Sequence, residues 1–159
     1  MASMPAEHDM PMGDPSAAAG IRGVDHVALV VRDVEASMAY FTGTLGLPIL
    51  RDEVTTASGG ARLVFLDAGN VAIQLVSPTG PDGPMAEHLA AYGDGLHHVC
   101  LAVADIDASV AALAPDAEVV IVVGGRGRRT AFLPGKPGGL ITELAEVRDD
   151  GVGAPGSRP

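Results

Sequence analysis

The chain has 159 residues, 47% of them hydrophobic but only 3% aromatic, and it contains no Trp. That length suits one well-cored domain, or two small halves fused over a common core of Val, Leu, Ile, Ala and Met. A formal net charge of −10 argues against a nucleic-acid backbone as partner, although a local arginine cluster can still hold an anionic small molecule.

One cysteine, Cys100, cannot form an internal disulfide. The N-terminus lacks a basic stretch followed by an apolar one, and no apolar run reaches membrane-spanning length. A soluble cytoplasmic protein with no membrane partner is the expectation.

In chain order, residues 1–21 are rich in Pro, Gly, Ala and Met without periodicity and read as a mobile tail, with His8 incidental in it. A β-branched, apolar strand is expected at 24–31. Asp33 is placed to cap a helix in which Val34, Met38, Phe41 and Leu45 recur at helical spacing, stopped by Gly46 and Pro48. Tyr40 and Phe41 read as core or half-core residues of that helix. Strands follow at about 49–55, 61–67 and 71–77, with Ala68, Gly69 and Asn70 turning the last pair. A Gly/Pro-rich linker over 79–94 carries a short helix near 85–91.

The second half repeats the plan: a strand from about 95, a helix capped by Asp105 with Ile106, Val110 and Leu113 on one face, then strands near 117–123, 129–133 and 139–146. Each half reads as βαβββ. The end of the chain, 148–159, reads as a second tail.

The repeat is visible residue by residue. Residues 24–38 align with 96–110, offset by 72, and seven of the fifteen positions are identical. Both copies carry a histidine on the first strand, His26 and His98. Strand alternation places Val27, Leu29 and Val31 on one face and His26, Ala28 and Val30 on the other; in the second copy Val99, Leu101 and Val103 oppose His98, Cys100 and Ala102. One face suits packing under a helix. The other, a histidine beside small residues, suits the floor of a cleft, where Cys100 reads as small inward packing rather than a nucleophile. His97, adjacent to His98, is expected on the opposite face in a structural or supporting role.

Each half also ends in a strand bearing one polar residue among apolar ones. Gln74 follows His26 by 48 residues and Glu143 follows His98 by 45. An uncompensated amide or carboxylate in such a place costs several kcal/mol. Two histidines, an amide oxygen and a carboxylate would be satisfied together by a divalent cation, with Mn, Fe, Co, Ni or Zn suiting mixed N/O ligation. Open positions on the metal could take two neighbouring substrate oxygens, so that it acts as a Lewis acid toward an enolate.

Four segments carry a family resemblance: Asp25-His26-Val27-Ala28, Gly95-Leu96-His97-His98-Val99, residues 128–134, and residues 138–144 through Glu143. Over about 22–147 the chain resembles the vicinal oxygen chelate superfamily, which includes glyoxalase I, extradiol dioxygenases, fosfomycin-resistance proteins and methylmalonyl-CoA epimerases, and it looks most like the last group. The resemblance implies an α+β fold of two tandem βαβββ modules, about 22–78 and 95–147, forming an incomplete, cupped β-barrel around the metal with helices outside. It implies His26, Gln74, His98 and Glu143 as metal ligands and a homodimer. The implied activity is a metal-dependent epimerase or isomerase of a carbon acid next to a carbonyl, with an acyl-CoA as the candidate substrate, through a metal-stabilised enolate. Glu143 is then the candidate catalytic proton carrier. A glyoxalase-type lyase, a dioxygenase and a non-catalytic ligand-binding protein are the competing readings.

The epimerases carry a second glutamate that this chain lacks. Its place falls within 55–61, where Ser58 aligns best, and Glu53 lies nearby; a hydroxyl is a far poorer general base than a carboxylate. The run Gly124-Gly125-Arg126-Gly127-Arg128-Arg129 is a cationic glycine-rich loop. Arg128 and Arg129 are candidates to clamp a substrate phosphate or carboxylate, the alternative being a solvated turn. The loop lacks the Lys and Ser/Thr of a nucleotide-hydrolysing P-loop.

Overall fold

The computed structural model describes residues 19–148, except for the side chain of Ser58. His8 and nearly all of the two expected tails lie outside the described residues. Eight strands form one sheet: β1 (Ile21–Val30), β2 (Ile49–Thr55), β3 (Ala61–Asp67), β4 (Ala72–Pro78), β5 (Gly95–Val103), β6 (Val122–Val123), β7 (Arg129–Phe132) and β8 (Ile141–Glu146). Three α-helices accompany them: α1 (Val34–Met38), α2 (Pro84–Tyr92) and α3 (Ile106–Leu113).

The strand order β2-β3-β4-β1-β5-β8-β7-β6 is the sequence repeat made spatial. Within each half the first strand runs parallel to the last, β1 with β4 and β5 with β8. The halves meet where β1 and β5 pair antiparallel, so they join within one chain. The result is an α+β fold, a sheet curled into a half-barrel.

Alternation sets the layers. Leu29 and Val31 lie under α1 with Val64, Leu66, Leu75, Met38 and Phe41. Val103, Ile106, Ala131 and Leu144 form the matching cluster under α3. On the other face of the first half, Ala28, Val30, Leu63, Phe65 and Val76 form a third cluster, closed by Met85 and Leu89 of α2. The linker helix therefore sits on the concave side rather than outside. Burying each such large side chain contributes about 1.5–3 kcal/mol.

Four elements depart from the expected spans. The helix after Asp33 is α-helical for five residues and then widens into a π-turn, Ala39–Thr44. Thr42 Oγ1 donates to the Met38 carbonyl, and the Leu45 and Leu47 amides reach back to the carbonyls of Tyr40 and Phe41. The wider turn leaves Leu45 half exposed, and Leu47 takes the core position instead. The strand expected at 117–123 shrinks to Val122–Val123, although Val119 and Ile121 still pack on the α3 cluster. β8 begins at Ile141 because Pro137–Gly139 turns tightly, with Gly138 and Gly139 at positive φ. At the other end, β1 begins at Ile21, and the buried Ala19 accepts a hydrogen bond from Ser109 Oγ at 2.6 Å. Among the described residues no helix is long and apolar enough to cross a membrane.

Candidate metal centre

Register alone brings the four polar strand residues onto the concave face. Gln74 on β4 pairs with Ala28 on β1, which pairs with His98 on β5. Glu143 on β8 pairs with Cys100 on β5, which pairs with His26 on β1. These are two rows related by the repeat, each with a small residue between its polar ends. Paired residues on adjacent strands point to the same face, so each row crowds its two ends over a small floor.

His26 Nε2 lies 3.3 Å from His98 Nε2 and 3.3 Å from Glu143 Oε2, and His98 Nε2 lies 3.1 Å from the same oxygen. Metal–ligand bonds of about 2.1 Å meeting at tetrahedral or right angles would space neighbouring donors about 3.0–3.4 Å apart. The three donors have that spacing, and they form a cluster able to hold a metal ion. Gln74 lines the cavity shared by His98 and Glu143, and its buried Oε1 has no hydrogen-bond partner. A buried amide oxygen left unpaired is costly, and a cation beside it removes the cost. The donor set and the orphaned oxygen both fit a divalent metal.

Two β-bulges shape the support of the histidines. Between Val24 and His26, and between Leu96 and His98, one strand of the β1–β5 pair carries an extra residue. The extra residues are Asp25 and His97, equivalent in the repeat. Each bonds the Nδ1 of the histidine that follows it at 2.8 Å, which leaves both Nε2 atoms facing Glu143. The bulge is why His97 reaches the cleft side, against His88 and Phe132, instead of the opposite face.

The two supports differ in charge. Burial pushes His97 down to about 4, with His98 and His88 adding to the effect. At Asp25 burial works to raise the pKa, but the hydrogen bond from His26 and the charges of Arg126 and Arg128 hold the carboxyl well below the usual carboxylate range. Burial also opposes charge on Glu143 and on the His26 ring; hydrogen bonds from His26 and His98 nevertheless lower the Glu143 carboxyl, and hydrogen bonds to Asp25 and then Glu143 raise the His26 imidazole. Burial, then the carboxylates of Glu143 and Asp25, push the Cys100 thiol far up, so it stays an inert buried packing group.

The remaining candidates are placed elsewhere. Arg128 pairs with the buried Asp25 at 2.5 Å, and Arg129 pairs at the surface with Asp107 at 2.7 Å and with Glu146 at 3.3 Å, so both are engaged by carboxylates of the protein itself. Glu53 is tied to Arg51 at 2.7 Å and accepts the Arg126 amide at 2.5 Å, outside the cavity lining. Ser58 lies in the turn Ala57–Gly59, its side chain outside what is described. The sequence reading missed Asp25 and Arg126. Asp25 was legible in the repeat, since it occupies the place of His97; Arg126, 101 residues from Asp25, was not.

Comparison with known proteins identifies the family and the fold. Residues 25–132 match the family model of the Glyoxalase/Bleomycin resistance protein/Dioxygenase superfamily. The mitochondrial methylmalonyl-CoA epimerase of Homo sapiens is 31% identical over 130 residues, covering 78% of this chain and 73% of that protein. The ethylmalonyl-CoA/methylmalonyl-CoA epimerase of Cereibacter sphaeroides is 32% identical over 133 residues, 78% of this chain and 97% of the relative. Among solved structures, a variant of the Streptomyces coelicolor methylmalonyl-CoA epimerase in complex with 2-nitronate-propionyl-CoA superposes with a TM-score of 0.73 at 27% identity, covering 79% of this chain and 97% of that one. The chain belongs to the glyoxalase/bleomycin resistance protein/dioxygenase superfamily, and its relatives place it among that superfamily's isomerase-type enzymes.

Proposed function

We propose that the chain is a divalent-metal-dependent epimerase of a carbon acid next to a thioester carbonyl, with methylmalonyl-CoA or a close acyl-CoA analogue as substrate. The observation that carries this reading is the convergence of His26, His98 and Glu143 at 3.1–3.3 Å beside the unpartnered Gln74 oxygen, in a chain whose relatives are epimerases. A cation of the Co, Mn, Zn, Ni or Fe class held by these four residues supplies Lewis acidity toward substrate oxygens.

The chain's own residues do the rest. His26 and His98 are oriented by their Nδ1 bonds, and the buried Glu143 carboxylate stays ionised. Among the described residues it is the one carboxylate lining the cavity, and it is assigned here as the proton carrier. Ala61, Leu63, Val76 and Met85 keep the wall of the cavity dry. The space beside the donors, about 70 Å³, suits a short acyl end. A wider groove of about 560 Å³ shares Met85 and Phe132 with it and passes His88, Tyr92 and Lys136, offering room for the rest of a thioester.

A second reading, exchange of the α-proton on one face without inversion, is favoured by one observation. Among the described residues lining the cavity only His98 and Glu143 are ionisable, so no second carboxylate stands ready to return the proton from the opposite side. Incubating metal-loaded protein with methylmalonyl-CoA in D2O, beside an E143A control, separates the readings. Deuterium uptake with racemisation supports the epimerase, uptake without racemisation supports the one-face enzyme, and no uptake overturns both.

A homodimer and a cytoplasmic setting belong to the same proposal. The exposed apolar residues Leu45, Ile49, Leu50 and Val54, on and beside the edge strand β2, support the dimer, and sedimentation velocity would measure it.

A further inference from the structure

The loop between β6 and β7 reaches the metal centre through Asp25. Both oxygens of that carboxylate are occupied: Oδ2 accepts from His26 Nδ1 at 2.8 Å and from Arg126 Nη2, and Oδ1 accepts from Arg128 Nη1 at 2.5 Å. Among the described residues Arg126 alone is a non-glycine at positive φ, +59°. Backbone held in the left-handed region is unfavourable for a side chain with a Cβ and persists only when its surroundings enforce it. Here three contacts do so. The Arg126 amide donates to Glu53 Oε1, its guanidinium donates to Asp25, and its Cζ lies 4.4 Å from the Phe65 ring centroid. Phe65 in turn meets the His26 ring edge-on at 5.5 Å.

The neighbour Gly125 explains how close the loop comes. A Cβ there would meet Phe65 Cζ at 2.8 Å and Leu63 Cδ1 at 3.0 Å, and Gly125 itself lines the cavity. One short loop thus forms part of the cavity wall and also grips the carboxylate behind a metal-ligand candidate. A carboxylate on Nδ1–H fixes the imidazole tautomer and aims Nε2 at the ion. Asp25 is itself near enough to His26 and Cys100 to act as a donor. A free Asp25 could swing and take the cation in a different geometry; two guanidinium groups prevent that.

We propose that Arg126, assisted by Arg128, is a positioning residue of the metal centre: by holding Asp25 it sets the orientation of His26, and so links the cavity-wall loop to metal affinity. This rests on the reading of His26, His98 and Glu143 as metal ligands.

The test is cobalt(II) titration of the apoprotein against a competing chelator, with the visible spectrum of the bound ion and the apoprotein melting curve as parallel readouts. R126G removes the guanidinium and relieves the backbone; R126K keeps a charge without the planar fork. The expected result is about 10–100-fold weaker cobalt binding in R126G with a changed spectrum, partial recovery in R126K, and no further loss when R126G is added to D25N. Binding within twofold of the parent and an unchanged spectrum in R126G overturns the proposal, as does an R126G loss that adds in full to that of D25N. If R126G does not fold, R126K is read in the same way. A parent that binds no cobalt, or an H26A variant that binds as tightly as the parent, brings down the metal-site reading and this inference with it.

Discussion

In the first half of the molecule the residue before the ligand histidine is an aspartate held by two arginines; in the second half it is a neutral histidine backed by His88. The last strand shows the opposite bias, the neutral Gln74 in the first half and the anionic Glu143 in the second. The bulges, the registers and the small residues Ala28 and Cys100 are the same in both. Duplication therefore explains where the polar groups stand, and divergence explains how charge is shared among them. Each half contributes one carboxylate near the centre, but only Glu143 has its oxygen at the donor triangle. Asp25 is one bond further out, spent on orienting a ring.

The comparison can be broken most directly at the equivalent positions 74 and 143. E143A should lose cobalt or zinc affinity by about 100-fold or more, since it removes an anionic donor and leaves both Nε2 atoms without their shared partner. Q74L should weaken binding by about tenfold yet leave the apoprotein as stable or about 1 kcal/mol more stable, because it deletes a buried oxygen that has no partner. Chelator competition and thermal melts measure both. Equal losses of affinity in the two variants would mean that the halves share the ligand charge after all.

Next come the supports. D25N should cost about 10–100-fold in metal affinity, whereas H97F, which removes an uncharged partner, should cost only a few-fold. Isothermal titration with zinc distinguishes them, and a larger loss in H97F would reverse the charge argument. The smallest effect concerns the helix caps. Asp33 and Asp105 each accept an amide three residues on, at 2.9 and 3.0 Å. D105A should cost about 1 kcal/mol. D33A should cost about half that, since α1 runs only five residues and buries none of them fully, whereas α3 buries Ile106 and Ser109. Urea denaturation of the two variants reads the difference.

Much of this was legible without coordinates. The offset of 72 residues, the alternation around His26 and His98, and the lone polar residues Gln74 and Glu143 are local patterns, and local patterns are what strand pleat and helix period write into a sequence. Two departures near them were not legible, because competing short-range bonds decide them. The π-turn after Met38 follows from the Thr42 hydroxyl and long backbone reaches, and the bulge that brings His97 to the cleft follows from the pairing of β1 with β5. The glycine-rich loop was read as a substrate clamp or a solvated turn, and only the fold shows Arg126 and Arg128 turned inward onto Asp25, more than 100 residues away in sequence.

The sequence by itself determined the two-module plan and the identity of the four candidate ligands, because each depends on periodicity and repetition within a few dozen residues. Tertiary structure alone decided which nitrogen of each histidine faces the centre, and which arginines are consumed behind it. Those outcomes turn on ångström-scale distances between residues brought together by the closing of the sheet, and burial there makes every unpaired charge too costly to leave unmatched.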